Sequence, residues 1–416
     1  MKRTFSILMA AMVCAIGLTG CGNHAERHPV PLDALDRAEI PGMPGIRAWG
    51  GQPSKVFQAD LVESIRQARA VDPRGVVDAA GSINVLALSG GGPDGAFGAG
   101  LLCGWTKAGT RPPFKLVTGI STGSLIAPFA FLGSAYDEPL KHFYTSVSTA
   151  DIYTSRSPLS VLWGTDGLAD TSPLANLLVQ CIDDKVLAAV AAEHRKGRRL
   201  YIGTTNLEAG RIVVWNMGAI AASGRPDALQ LFRDVMRASA SIPVAFPPVY
   251  FDVEVEGRKY DEMHVDGGTT TQVFFYGFML DIAAAMREAG VESKPPVRIF
   301  VVKNGGLRPQ GSHVEPLLLP IAGRAVLQLC YSQGIGDLYR IYATATRDGI
   351  DFNLTYIPDE YKAAPKEMFD RVEMKRLFDF AYEKASRGYS WLKLPPGMEH
   401  VQPAANSPVT PQPQAQ

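Results

Sequence analysis

Short apolar runs punctuate the chain, and their lengths and spacing predict its elements. Residues 83–88, 114–118, 200–205, 211–215, 297–302 and 352–357 are each short and almost continuously apolar, and a further strand leads from Lys259 to the turn after His264. Runs of that kind suit strands covered on both faces. Between them lie stretches that read as helices: 60–71, a segment beginning at Leu101, 124–132, 172–193, 228–240, 317–346 and 366–387. Strands alternating with helices predict an α/β domain whose central sheet is mostly parallel and carries helices on both faces. No repeat of 20–50 residues interrupts this alternation.

The ends follow a different pattern. Met1-Lys2-Arg3 precedes an apolar run over residues 4–18, as in a secretion signal, and the run closes in Leu18-Thr19-Gly20-Cys21. That closing resembles a bacterial lipobox. The resemblance implies removal of residues 1–20, acylation of Cys21 and anchoring in a membrane, and Gly22 after the cysteine favours the outer membrane of the cell envelope. Residues 21–81, broken by prolines, read as a tether and arm, residues 82–394 as the main domain, and the Pro- and Gln-rich residues 395–416 as a disordered tail.

Composition narrows the function. Of 416 residues 46% are hydrophobic, enough for a sizeable core, and the 41 basic residues equal the 41 acidic ones, so nothing points to nucleic acid. With Cys14 in the signal and Cys21 acylated, Cys103, Cys181 and Cys330 remain, too widely spaced for a metal site or a disulfide framework.

Three motifs carry the chemistry. Gly119-Ile120-Ser121-Thr122-Gly123 sets a lone serine between glycines where a strand turns into a helix, the form of a nucleophile elbow. Upstream, Ser89-Gly90-Gly91-Gly92-Pro93-Asp94-Gly95 joins a strand to a helix and offers backbone amides to something anionic. Downstream comes the turn Asp266-Gly267-Gly268. Gly90, Gly92 and Gly95 also satisfy a dinucleotide fingerprint, but the next strand ends in the serine elbow rather than in an acid. A histidine triad would need His313, in a loop, or His400, in the tail. His264 either lines the site or fills a core gap, and Trp105, Trp163 and Trp215 read as core or rim anchors. The basic cluster at residues 194–199 reads as a solvated helix end, with anionic headgroups as the sharper alternative.

In order and context these motifs resemble the patatin-like phospholipase family, as does Ser239 or Ser241 through Pro248, a stretch of the form S-x-I-P-x-x-F-P-P. The resemblance implies a three-layer patatin-like fold with a Ser-Asp dyad. Ser121 is then the nucleophile, Asp266 its base, and Gly90, Gly91 and Gly92 the oxyanion hole, with Gly95, Gly119, Gly123, Gly267 and Gly268 shaping the turns. It implies an acyl-lipid or phospholipid substrate and calls for no metal or organic cofactor. Pro93 lacks an N–H, so Gly91 and Gly92 are the main donors, with Gly90 or Thr122 in support. Asp266 needs burial to become a useful base, or else acts by orienting the serine. Asp94 stands where the family carries Arg or Lys, and must point away or cap the following helix. Thr270, Thr271 and Gln272 also depart from the family's pattern. An alternative is an envelope lipoprotein that keeps the fold for lipid or protein binding without efficient catalysis.

Overall fold

The computed structural model describes residues 27–398, except 76, 158–165, 276–278, 293–294 and 309–310. The signal, Cys21, Trp163, His400 and all of the tail beyond residue 398 lie outside the described residues.

The apolar runs assemble into a nine-stranded sheet. In chain order its strands are β1 (Arg47–Trp49), β2 (Ile83–Leu88), β3 (Leu116–Ile120), β4 (Arg199–Asn206), β5 (Arg211–Asn216), β6 (Val249–Val255), β7 (Arg258–Asp266), β8 (Val297–Lys303) and β9 (Asp351–Tyr356). Across the sheet the order is β1-β5-β4-β3-β2-β8-β9, with β7 also pairing to β4 and carrying β6. Pairing is parallel from β4 through β9 and antiparallel among β1, β5, β4, β7 and β6. The sheet is therefore mixed, parallel from β4 to the β9 edge and antiparallel on the other side. β5 and β7 follow their predecessors through short turns, and a short turn can only join antiparallel neighbours.

The helices are α1 (Lys55–Val71), α2 (Gly95–Lys107), α3 (Thr122–Leu132), α4 (Asp137–Ser146), α5 (Ser172–Cys181), α6 (Asp184–Arg195), α7 (Ala228–Ser239), α8 (Leu318–Asp348) and α9 (Arg371–Ser386). Two of the boundaries that depart from the periodicity have a cap as their cause. Residues 172–193 form two helices, because the Asp183 carboxylate accepts the amide of Val186 and starts a new one. The last helix begins only after Asp370, whose side chain accepts the amides of Val372 and Glu373.

Alternate residues of the central strands face opposite layers. Leu86, Leu88, Val117, Phe300 and Val302 pack with Phe97, Leu101, Ile126 and Phe378, on the face covered by α2, α3 and α9. Val85, Ala87, Ile299 and Val301 pack with Leu338, Ile341 and Ala345 of α8 on the other face, where α1 adds Phe57 against Ile120 and Tyr201. The result is a three-layer α/β architecture. The arm joins it: β1 extends the sheet edge, and Ser54 caps α1 by accepting the amide of Phe57.

α2 and α9 touch backbone to backbone. A β-carbon at Gly100 would run into the Phe378 carbonyl, and one at Gly104 into that of Tyr382. Small residues on α2 thus let α9 hold the helix that opens from the glycine loop.

Candidate active site

β3 runs into α3 through Ser121, which adopts φ 52° and ψ −125°. The strained dihedral belongs to the serine itself, and such a conformation costs about 1–3 kcal/mol unless the surroundings hold it. Gly119 and Gly123 are needed for close approach rather than for an unusual backbone conformation. Neither has a positive φ, and a β-carbon at Gly119 would strike the Gly123 backbone, while one at Gly123 would strike the carbonyl of Leu88 at the end of β2. They let the elbow nest against the neighbouring strand.

The surroundings do hold Ser121. Its amide donates to Ser239 Oγ at 2.9 Å, and that hydroxyl donates to the carbonyl of Gly203 at 2.7 Å. Two residues on, the Ser241 carbonyl accepts the amide of Asp266 at 2.8 Å. One short segment therefore fixes both residues by their backbones. Its proline pattern marked the segment in the sequence, but no local signal said which serine reached which partner.

Asp266 ends β7, 5% exposed. Its carboxylate accepts the Gly268 amide at 2.7 Å, and the Ser121 hydroxyl beside it also favours the charged form. Burial pushes its pKa up to about 7, against the opposing effect of those two groups. A carboxylate so placed is poised to take a proton from a serine near neutral pH.

The glycine loop arrives from β2. Gly90 donates its amide to the Gln272 carbonyl at 3.0 Å, so it is not a free donor, which corrects the expectation that all three glycines serve an oxyanion. The amides of Gly91 and Gly92 have no acceptor among the described residues. Gly92 takes φ 56°, a left-handed conformation, and lines the same cleft as Ser121. Gln272 was not foreseen as a site residue. Its side chain donates to the Gly268 carbonyl at 3.1 Å and its amide to Asp337 at 2.7 Å, so it ties the glycine loop to the aspartate turn. Asn304 acts alongside it: its side chain donates to the Ser89 carbonyl at 2.8 Å and accepts the Gly98 amide at 3.1 Å.

A cleft of about 440 Å³, counting its open mouth, leads away from Ser121. Its walls are apolar, including Leu125, Phe143, Leu174, Phe246, Phe369 and Met374. Neither His313 nor His264 lines it. His313 is exposed, and His264 is fully buried in a polar string. The His264 Nε2 is 3.0 Å from Glu262 and its Nδ1 is 2.8 Å from the Thr204 hydroxyl, which also accepts from the Trp215 indole at 2.8 Å. Arg47 closes the string with two contacts to Glu262, one of 3.1 Å. Burial lowers the His264 pKa, so the ring is neutral and structural.

The basic cluster is not a solvated face throughout. Arg199 is 3% exposed and pairs with Asp60 at 2.8 Å, while Arg198 donates to the Phe114 carbonyl at 2.7 Å and pairs with Glu193 at 2.8 Å. These cations tie α1 and α6 to the sheet. Trp105 packs against Phe114, Phe300 and Trp391 in the core. Cys103, Cys181 and Cys330 are free. Asp94 does not cap α2, since its side chain makes no hydrogen bond there.

Residues 86–279 match the family model described as Patatin-like phospholipase, a span running from β2 past the Asp266 turn. No curated protein matches the chain. Among solved structures, the crystal structure of VipD from Legionella pneumophila resembles it with a TM-score of 0.36 and 11% identity, over 90% of this chain and 72% of that one.

Proposed function

We propose, from the premise that residues 86–279 form a patatin-like phospholipase domain, that this protein hydrolyses carboxylic esters of phospholipids or related acyl lipids through an acyl-serine intermediate. The observation that carries the reading is Ser121 at the head of an apolar cleft, with the buried Asp266 carboxylate beside its hydroxyl. The acyl chain lies along Leu125, Phe143 and Leu174. Ser121 Oγ attacks the ester carbonyl while its proton passes to Asp266, and the amides of Gly91 and Gly92 receive the negative charge on the carbonyl oxygen. The carbon–oxygen bond to the leaving alcohol then breaks, and Asp266 returns the proton to that oxygen. Water, deprotonated by Asp266, attacks the acyl-Ser121 carbonyl, releases the fatty acid and restores the hydroxyl. A lipid anchor on Cys21 holds the enzyme at its substrate in the cell envelope, a role supported by the apolar run and small residues before that cysteine.

The test compares wild-type protein with Ser121→Ala on phospholipid vesicles, reading released fatty acid, alongside labelling by an alkyl fluorophosphonate. The variant is expected to lose activity by about 10⁴-fold or more and to take no label. Fatty-acid release by Ser121→Ala at the wild-type rate would remove the serine from the mechanism, and a wild-type protein that neither labels nor hydrolyses would favour a binding role for the fold.

A further inference from the structure

Beside the glycine loop stand two charged groups, neither of which has a hydrogen bond or a close ion pair among the described residues. Asp94 closes the 3₁₀ turn Gly92–Asp94 that carries the free amides, and is half-buried. Lys303 ends β8 with 6% exposure, its ammonium 5.4 Å from the centre of the Tyr331 ring. A β-carbon added at Gly305 would stand 3.8 Å from Lys303 Nζ and 3.9 Å from Asp94 Oδ2. Both charged atoms therefore stand within about 4 Å of one point without forming an ion pair. Nearby, Asp94 also feels Glu373 of α9 and Tyr361, whose hydroxyl is 2.7 Å from Glu373, while Lys303 also feels Asp337 of α8.

A carboxylate two residues from amides that must receive negative charge opposes that charge. A buried ammonium placed against the carboxylate cancels the opposition. We propose that Lys303 is a positioning residue for the reaction, balancing Asp94 so that the amides of Gly91 and Gly92 can stabilise the negative charge that forms when Ser121 attacks. The inference rests on the reading of Ser121 as nucleophile. Burial pushes the Asp94 pKa up to about 7, while the Lys303 ammonium acts in the opposite sense and favours the ionised acid.

The experiment measures the rate at which an alkyl fluorophosphonate labels Ser121 in the full chain at pH 7 and pH 9. Lys303→Met is expected to label about 10-fold more slowly at pH 7, with a wider deficit at pH 9, where Asp94 is forced to ionise without its counter-charge. Lys303→Arg keeps the charge and stays within about threefold of wild type. Asp94→Asn labels about threefold faster, and adding it to Lys303→Met restores most of the rate. A double variant as slow as Lys303→Met, or a Lys303→Met as fast as wild type, overturns the proposal while leaving the nucleophile in place. A wild-type protein that takes no label instead overturns the reading beneath it. Should Lys303→Met lose its cooperative thermal transition, Asp94→Asn alone decides, since slower labelling would make Asp94 a helper rather than a burden.

Discussion

Ser121 and Ser239, 118 residues apart in sequence, are joined by a 2.9 Å hydrogen bond from the backbone amide of the first to the hydroxyl of the second. The bond holds an unfavourable backbone conformation at the one residue proposed to react. Ser239→Ala leaves the buried Ser121 amide and the Gly203 carbonyl without that hydroxyl. Stability is expected to fall by about 1–3 kcal/mol in denaturant unfolding. Fluorophosphonate labelling is expected to slow by about 10-fold, because the elbow is no longer fixed.

The raised pKa of Asp266 sets a pH dependence. Below about 7 the carboxyl carries a proton and cannot take another, so the labelling rate should climb with pH and level off with a midpoint near 7. Asp266→Asn should lower the rate by about 10²- to 10⁴-fold. A His313→Ala variant that abolished labelling would point to a histidine base instead.

Arg47 and Glu262 form a buried pair, 7% and 1% exposed, next to His264. Burial alone would raise the Glu262 pKa, yet His264 and Arg47 outweigh it and hold the acid at about 2. A depressed carboxyl contributes stability above its unfolded value near 4.5, and the contribution is lost as pH falls toward 2. Arg47→Met strands the carboxylate, with an expected cost of about 3–5 kcal/mol near neutral pH. Unfolding curves at pH 7 and pH 3 test both points: the variant's deficit should shrink at the lower pH.

Leu125 lines the apolar cleft close to Ser121 and is 7% exposed. A tryptophan there fills the channel. Leu125→Trp should still be labelled by a methyl fluorophosphonate at a rate within about threefold of wild type, while its hydrolysis of long-chain esters drops by about 10²-fold. Equal losses on short and long acyl chains would place the chain elsewhere.

The central strands were legible because each is buried on both faces and so reads as an unbroken apolar run. Phe300 and Ile299 point to different layers, and both must be apolar. The edge was less legible: β1 is three residues long with all of them partly exposed, and its membership rests on pairing with β5, far away in sequence. The same division holds in the site. Ser121 and Asp266 stand in local glycine motifs that announce tight turns. Gln272, Asn304 and Ser239 act through contacts across the sheet, which no spacing records. Gly90 reads as a supporting donor in its motif, yet its amide goes to the carbonyl of Gln272, a partner that the motif does not contain.

The backbone contact of Gly100 and Gly104 with Phe378 and Tyr382 bears on how the protein is made. A chain emerging from the ribosome produces the glycine loop early, but the helix α9 that fixes α2 arrives only after residue 386. Until then α2 lacks the partner against which it is aligned. A nascent chain would therefore carry its serine through synthesis in an unassembled site, and the capacity to cleave lipids would appear only once nearly the whole polypeptide is complete.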